Sequence, residues 1–235
     1  YYDHYSFWLA EMKNKNSFTD LQSDWQKSYG AYVQNPVLQD PLVFFKNPLE
    51  RGHIFLNSET FNAWLHDPFE ETFEESEYSN NLLRNRMLNE IRHETIPVIL
   101  HEDDRNSMYY SVENRSPYLD RDLAEFLFQI PPELLIKNGY VKYLLRAAGT
   151  GFVSDNVLWD KRKRGFNAPI DHLVDRKDKV TREHLMADGP IFDIVRKDKI
   201  ESYLNSDLTD NSFSKNLFSF ISAKLFLEHY QDWNP

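Results

Sequence analysis

Three short stretches hold side chains whose types and spacing can do chemistry. In HEDDRNSM (101–108) three carboxylates, Glu102, Asp103 and Asp104, stand in a row between His101 and Arg105, directly after the apolar run 96–100. Adjacent carboxylates repel one another. Either they spread over a solvated helix start, where the helix dipole favours acids, or some face a cation, a substrate amine or a basic partner. In SVENRSPYLD (111–120), Arg115 stands two residues after Glu113 and ahead of a proline turn. Its planar fork can orient a carboxylate; the plainer reading is an ion pair that fastens the turn to the next helix. The third stretch, KRKRGFNAP (161–169), is a dense run of positive charge in an acidic chain. A lysine close to a glycine lets backbone approach an anion while the ammonium supplies a compact charge, which suits a phosphate or pyrophosphate leaving group. A solvated basic loop or a nucleic-acid patch fits the same residues.

Other chemistry is excluded more simply. There is no cysteine, so disulfides, thiolate metal sites and a cysteine nucleophile are absent from these residues, and a reducing, cytoplasmic compartment is expected. The eight histidines, at 4, 53, 66, 93, 101, 172, 184 and 229, show no HExxH or paired ligand spacing, and no metal is assigned from them. No GxSxG elbow supports a serine hydrolase. The seven glycines cannot write a phosphate-cradling loop. A net charge of −10 repels phosphate backbones, so nucleic acid is not expected as a partner. Apolar runs are far shorter than the roughly 18 to 20 residues of a membrane span, and no membrane partner is expected.

Helices must position these groups. The 235 residues are 41% hydrophobic and 27% charged, the composition of a folded chain with a real core. Spacing predicts helices over 3–12 and 19–34, then irregular surface structure from 36 to 69, where Pro36, Pro41, Pro48 and Pro68 forbid a long helix. Leu83, Met87 and Ile91 predict a buried face on a helix from 78 to about 95, with Pro97 kinking or restarting it. Leu123, Leu127 and Ile130 predict a helix with Asp120 as N-cap and Pro131-Pro132 as stop. Further helices are expected over 141–148, closed by Gly149 and Gly151 as left-handed caps, and over 168–174, 179–186 and 197–204. A last helix from 214 to 229 should bury Leu217, Ile221 and Leu225. No alternating strand is evident. The division expected is 1–77, helices and a proline-rich irregular segment, and 78–235, a helical core with the DRNSM, VENRSPYLD and KRGF motifs.

The order of the stretches is more specific than any one of them. LHEDDRNSMYYSVENRSPYLDRDLAEF, then NGYVKYLLRAA (138–148), then KRGFNAP resembles the C-terminal half of the synthetase domain of glutamine-hydrolysing asparagine synthetases, best over about 97–170. That family carries D-R-x-S-M, V-E-x-R-x-P-[FY]-L-D, G-x-x-K-x-x-L-R-x-A and K-x-G-F-x-x-P in this order. The resemblance implies a mainly helical part, with little or no sheet of its own, of an α/β ATP-pyrophosphatase-type domain. It implies a ligase that adenylates the side-chain carboxylate of aspartate with ATP and Mg²⁺ and attacks the adenylate with ammonia from glutamine. On it, Lys163 meets the phosphates and Asp103 is the acid that faces the substrate. Glu102 stands where many members have Tyr, so it is kept beside Asp103. Arg105 would neutralise these acids or the substrate carboxylate.

The cysteine glutaminase, the S-G-G-x-D-S loop and the G-x-G-x-D-E motif have no counterpart in these residues. The implied partners are therefore the glutaminase and ATP-loop portions of the same protein, with small-molecule substrates; a second copy of the chain is admitted as a further partner. The chain reads as a fragment, inactive alone. Two alternatives stand beside this reading: the same architecture acting on another carboxylate, as in β-lactam or sugar-modifying relatives, and a noncatalytic helical binding module.

Overall fold

The computed structural model describes residues 2–13, 17–33, 35–54, 58–69, 73–162, 170–207 and 211–230. Among them the chain is mainly helical: α1 (Tyr2–Glu11), α2 (Phe18–Ser28), α3 (Val43–Lys46), α4 (Ser58–Trp64), α5 (Leu82–Arg92), α6 (Thr95–Tyr109), α7 (Arg121–Gln129), α8 (Tyr143–Ala148), α9 (Asp155–Leu158), α10 (Lys179–Met186), α11 (Lys197–Leu204) and α12 (Asn211–Tyr230). The described strands are β1 (Ile136–Lys137) and β2 (Tyr140–Val141), paired antiparallel. Two units each carry their own core: residues 1–53 with 73–163, and 54–72 with 164–235.

The first unit is built around α1. Tyr5, Phe7, Trp8 and Leu9 are all buried, so apolar side chains leave this helix in every direction and each must be covered. Trp25 and Tyr29 cover one side, Leu83 of α5 another, and Ile136 and Val141 a third. Phe7 stacks on Phe44 with ring centroids 3.7 Å apart. The stretch 36–69 is broken by its prolines as expected, but it is not merely surface: Leu38, Phe44 and Arg51 are buried, because α1 needs a lid there. α2 stops at Ser28 rather than near 34, since the chain turns at Gly30 and so brings both Tyr29 and Val33 into the core.

α5 is shorter than the periodicity suggests because the residues before it are used as a strap. The Asn89 side chain accepts from Ser76 N at 2.9 Å and donates to Ser76 O at 2.9 Å, and Asn85 Oδ1 accepts from Tyr78 N at 2.7 Å. Asn81 then caps the helix by accepting from Arg84 N at 2.8 Å. Leu83 is buried, with Met87 and Ile91 half-buried on the same face. Pro97 falls in the first turn of α6, where its missing N–H costs nothing. Below the strap Arg51 grips Glu75 through two hydrogen bonds of 3.0 and 2.5 Å, and Arg86 bonds both Glu75 at 2.7 Å and Glu94 at 2.6 Å.

Asp120 caps α7 as expected, accepting from Leu123 N at 3.1 Å; Ile130 is buried, and Leu123 and Leu127 are half-buried. The helix expected over 141–148 begins two residues late, because Tyr140 and Val141 are spent on the hairpin. Asn138 and Gly139, at φ 54° and 71°, make its two-residue turn. Gly149 is not a left-handed cap, its φ being −78°, whereas Gly151 at φ 83° is left-handed.

In the second unit Trp64 meets Ile191, Ile200, Tyr203 and Leu217, and Arg196 N donates to Trp64 O at 2.6 Å. α10 and α11 have the expected limits. The helix expected over 168–174 appears, in its described part, as one short turn, Ile170–His172. On α12 Leu217 and Phe220 are buried and Ile221 is half-buried, but Leu225 is exposed. The buried stripe passes instead through Lys224, whose ammonium donates to Ala187 O at 3.0 Å and Glu228 Oε1 at 2.5 Å. Leu225, about 100° further round the helix, leaves the core.

Two outcomes are expected from this packing. A Cβ at Gly139 would lie 2.5 Å from Ser28 Oγ in a positive-φ residue, whereas one at Gly151 meets nothing within 4 Å. Gly139→Ala should therefore cost about 2 kcal/mol or more in urea unfolding, and Gly151→Ala only the backbone cost of about 1 kcal/mol. Burial alone would raise the Glu75 carboxyl, but the hydrogen bonds and charges of Arg51 and Arg86 outweigh it and hold the group below its ordinary 4.5. A depressed folded value means the unfolded chain binds the proton first. This contribution to stability is thus complete above pH 4.5 and is lost as pH falls through the lower folded value. Glu75→Gln should lower the unfolding midpoint at pH 7 and flatten its decline below pH 4.5.

Candidate functional site

The motif-bearing surface of the first unit begins where Glu94, held by Arg86, anchors the start of α6 to α5. Beyond that anchor none of the fifteen residues of α6 is buried. The run 96–100 forms the first turns of this helix, so the three acids lie in its middle rather than at a helix start. Helical geometry relieves their repulsion by turning each about 100° from the last. Glu102 and Arg105, three residues apart, share a face; Asp103 is turned about 160° from Arg105. All three side chains are exposed, and among the described residues none has a hydrogen bond or an ion pair. They are free to meet something outside these residues.

After α6 the chain turns at Ser111, φ 57°, and runs exposed to the short turn Pro117–Leu119. Arg115 pairs with Glu113 at 3.0 Å, but the side chains are 81% and 70% exposed, so the pair contributes little to stability. It stays within its own segment; Asp120 is the residue that starts α7.

The third stretch is approached through Arg146. Its Nε donates to Val141 O at 2.9 Å and its Nη1 to Asp160 O at 3.0 Å and to Leu158 O, which ties the hairpin to the end of α9. Lys161 donates to Ser28 Oγ at 2.8 Å and lies 4.4 Å over the Tyr140 ring. Arg162 forks onto Asp160 through two bonds of 2.9 Å. Thus the first two cations of KRKRGF are held by the first unit itself. Lys163, with 164–169, lies outside the described residues.

One cavity of about 440 Å³ opens in this unit, walled by Leu83, Met87, Leu127, Ile136 and Leu144 with His4 and Lys142 at its edge. Glu102, Asp103 and Arg105 do not line it. Its wall is mostly apolar, with His4 and Lys142 as the charged or titratable side chains in the lining. Sequence reasoning meets Lys142 and Arg146 only as members of the G-x-x-K-x-x-L-R-x-A motif and His4 only among the histidines, and gives none of them a structural role. Asn138-Gly139 between Ile136 and Val141 is the hairpin signal that places Lys142 at a turn, where it has φ 55°, and Arg146 beneath it.

Comparison with known proteins assigns the motifs a lineage. The asparagine synthase family model matches residues 5–228. Over 117 residues the chain is 34% identical to asparagine synthetase [glutamine-hydrolyzing] 1 of Bacillus subtilis, covering 48% of the chain and 18% of that protein. Over 64 residues it is 36% identical to asparagine synthetase [glutamine-hydrolyzing] 3 of the same organism, covering 27% of the chain and 10% of that protein. The chain thus matches less than a fifth of the length of these relatives. No solved structure matches it. The family model runs from within α1 to within α12 and takes in the three charged stretches in order, so the chain belongs to the asparagine synthase family.

Proposed function

We propose that this chain supplies the C-terminal helical part of an ATP-dependent amidotransferase that makes asparagine from aspartate, with glutamine as the source of ammonia. The observation that carries the reading is the family match over 5–228. Bound ATP supplies an adenylate leaving group for the substrate carboxylate, with Mg²⁺ screening the phosphates. Lys163 adds a positive charge where the phosphates separate, the kind of preorganised charge that lowers a barrier more than it tightens ground-state binding. Asp103, with Glu102 beside it, presents carboxylate to the substrate amine, and Arg105 balances these acids or takes the substrate carboxylate in its fork.

The machinery is completed by other portions of the same polypeptide, the glutaminase and the ATP loop. Support comes from the exposed apolar side chains on α6 and after it: Val98, Ile99, Met108, Tyr109, Phe126 and Phe152 are all exposed, the kind of surface that further protein covers. The working compartment is the cytoplasm, where ATP and free amino acids meet; no helix of the described residues is long and apolar enough to cross a membrane.

Two measurements test this. The purified 235-residue chain, given ATP, Mg²⁺, aspartate and ammonia, should release no pyrophosphate; turnover that follows the protein through purification overturns its dependence on further portions. In the full-length synthetase, Lys163→Met should lower kcat about 100-fold, roughly 3 kcal/mol, with little change in KM for aspartate. An unchanged kcat would make Lys163 a solvated loop residue. Glutamate or another acid used in place of aspartate would move the protein to the carboxylate-ligase relatives.

A further inference from the structure

α1 and α5 run antiparallel and are pinned at one end by Glu11, whose Oε2 accepts from Leu82 N at 2.7 Å. At the other end His4 Nε2 meets Glu90 Oε2 at 2.8 Å. Asp3, next to His4 and only 5% exposed, completes a group whose donor atoms all lie within 4.8 Å of one another. Behind it, His53, its side chain 6% exposed, bonds Asp3 Oδ2 through Nε2 at 3.3 Å, while its Nδ1 has no partner among the described residues. A buried histidine bonded to a carboxylate is the outer-shell arrangement that orients metal ligands.

Carboxylates crowd this group. Glu75, Glu90 and Glu94 gather around the guanidiniums of Arg51 and Arg86, while Asp3 meets His53 and lies beside His4. Arg86 spends its terminal nitrogens on Glu75 and Glu94; its Nε is 3.7 Å from Glu90 Oε1, beyond hydrogen-bond range, and has no partner among the described residues. Part-buried negative charge of this kind calls for a cation.

We propose that Asp3, His4 and Glu90 form a binding site for a divalent first-row metal ion of the Zn²⁺ or Mn²⁺ class, held between α1 and α5. One imidazole and two carboxylates are the donor set such ions take, with water filling the remaining positions. Bonds of about 2.1 Å in a tetrahedral arrangement set donors about 3.4 Å apart. The His4–Glu90 pair, at 2.8 Å, therefore opens slightly, and Asp3, whose donor lies within 4.8 Å of the other two, moves in. The ion would replace the His4–Glu90 hydrogen bond as the clasp of the two helices. The site is independent of the ligase reading and of the Mg²⁺ that accompanies ATP.

The test is a titration of the 235-residue chain with Co²⁺, followed by its visible ligand-field absorption, with Zn²⁺ as competitor. One equivalent should bind, Zn²⁺ should displace it, and saturating metal should raise the thermal unfolding midpoint. His4→Gln and Glu90→Gln should each weaken binding at least tenfold, whereas His172→Gln, at an exposed position of the second unit, should leave it unchanged. Should either ligand variant unfold, the wild-type midpoint shift with metal still decides the question. No absorption at millimolar Co²⁺ with the chain folded overturns the proposal. So does binding that survives both ligand variants.

Discussion

A guanidinium cannot enter a protein core unless its donors are met, and Arg86 is only 2% exposed. That requirement fixes much of the first unit. Glu75 must reach Arg86, so the residues before α5 lie along it as a strap and cannot extend the helix. Glu94 must reach it too, so α5 ends at Arg92 and α6 starts at Thr95 with its first turn clamped. Arg51 shares Glu75, which draws the proline-broken stretch over Phe7 and Phe44 and closes the lid on α1. Remove the ion cluster and the apolar contacts remain, but nothing specifies where α6 begins. The charged residues on α6 inherit their position from this buried pairing.

Apolar periodicity shows in advance what depends on one helix face. Leu83 marks α5, Leu127 and Ile130 mark α7, and the limits of α10 and α11 can be read from spacing and caps. What it cannot show is polar burial. Arg86, Asn89 and Lys224 sit on core faces at positions where a hydrophobic pattern reads a gap, and each redirects its surroundings by the partners it demands. Periodicity alone therefore makes α5 too long and runs the buried stripe of α12 through Leu225. The hairpin is a different omission: Asn138-Gly139 is a strong local signal, but two-residue strands leave no alternation to notice.

The candidate site is legible in the sequence as chemistry and not as geometry. Acids and a cation at 102, 103 and 105 can be read there, and they are on one exposed helix. That they lie mid-helix and spread about its axis depends on the apolar run 96–100 being part of the same helix. Within KRKRGF, spacing alone treats four cations as equals; the structure distinguishes Lys161 and Arg162, which are held by Ser28 and Asp160.

The remaining feature concerns stability. α6, α7 and α8 have no buried residue among them, although each carries large apolar side chains. An isolated helix of about fifteen residues is marginal in water, and its stability in a protein comes from burying a face. These helices can gain that burial only from surface supplied outside the residues described. The charged residues of the same helix do not share one face, since Asp103 is turned about 160° from Arg105, so a surface covering one side of α6 leaves part of this charge in water.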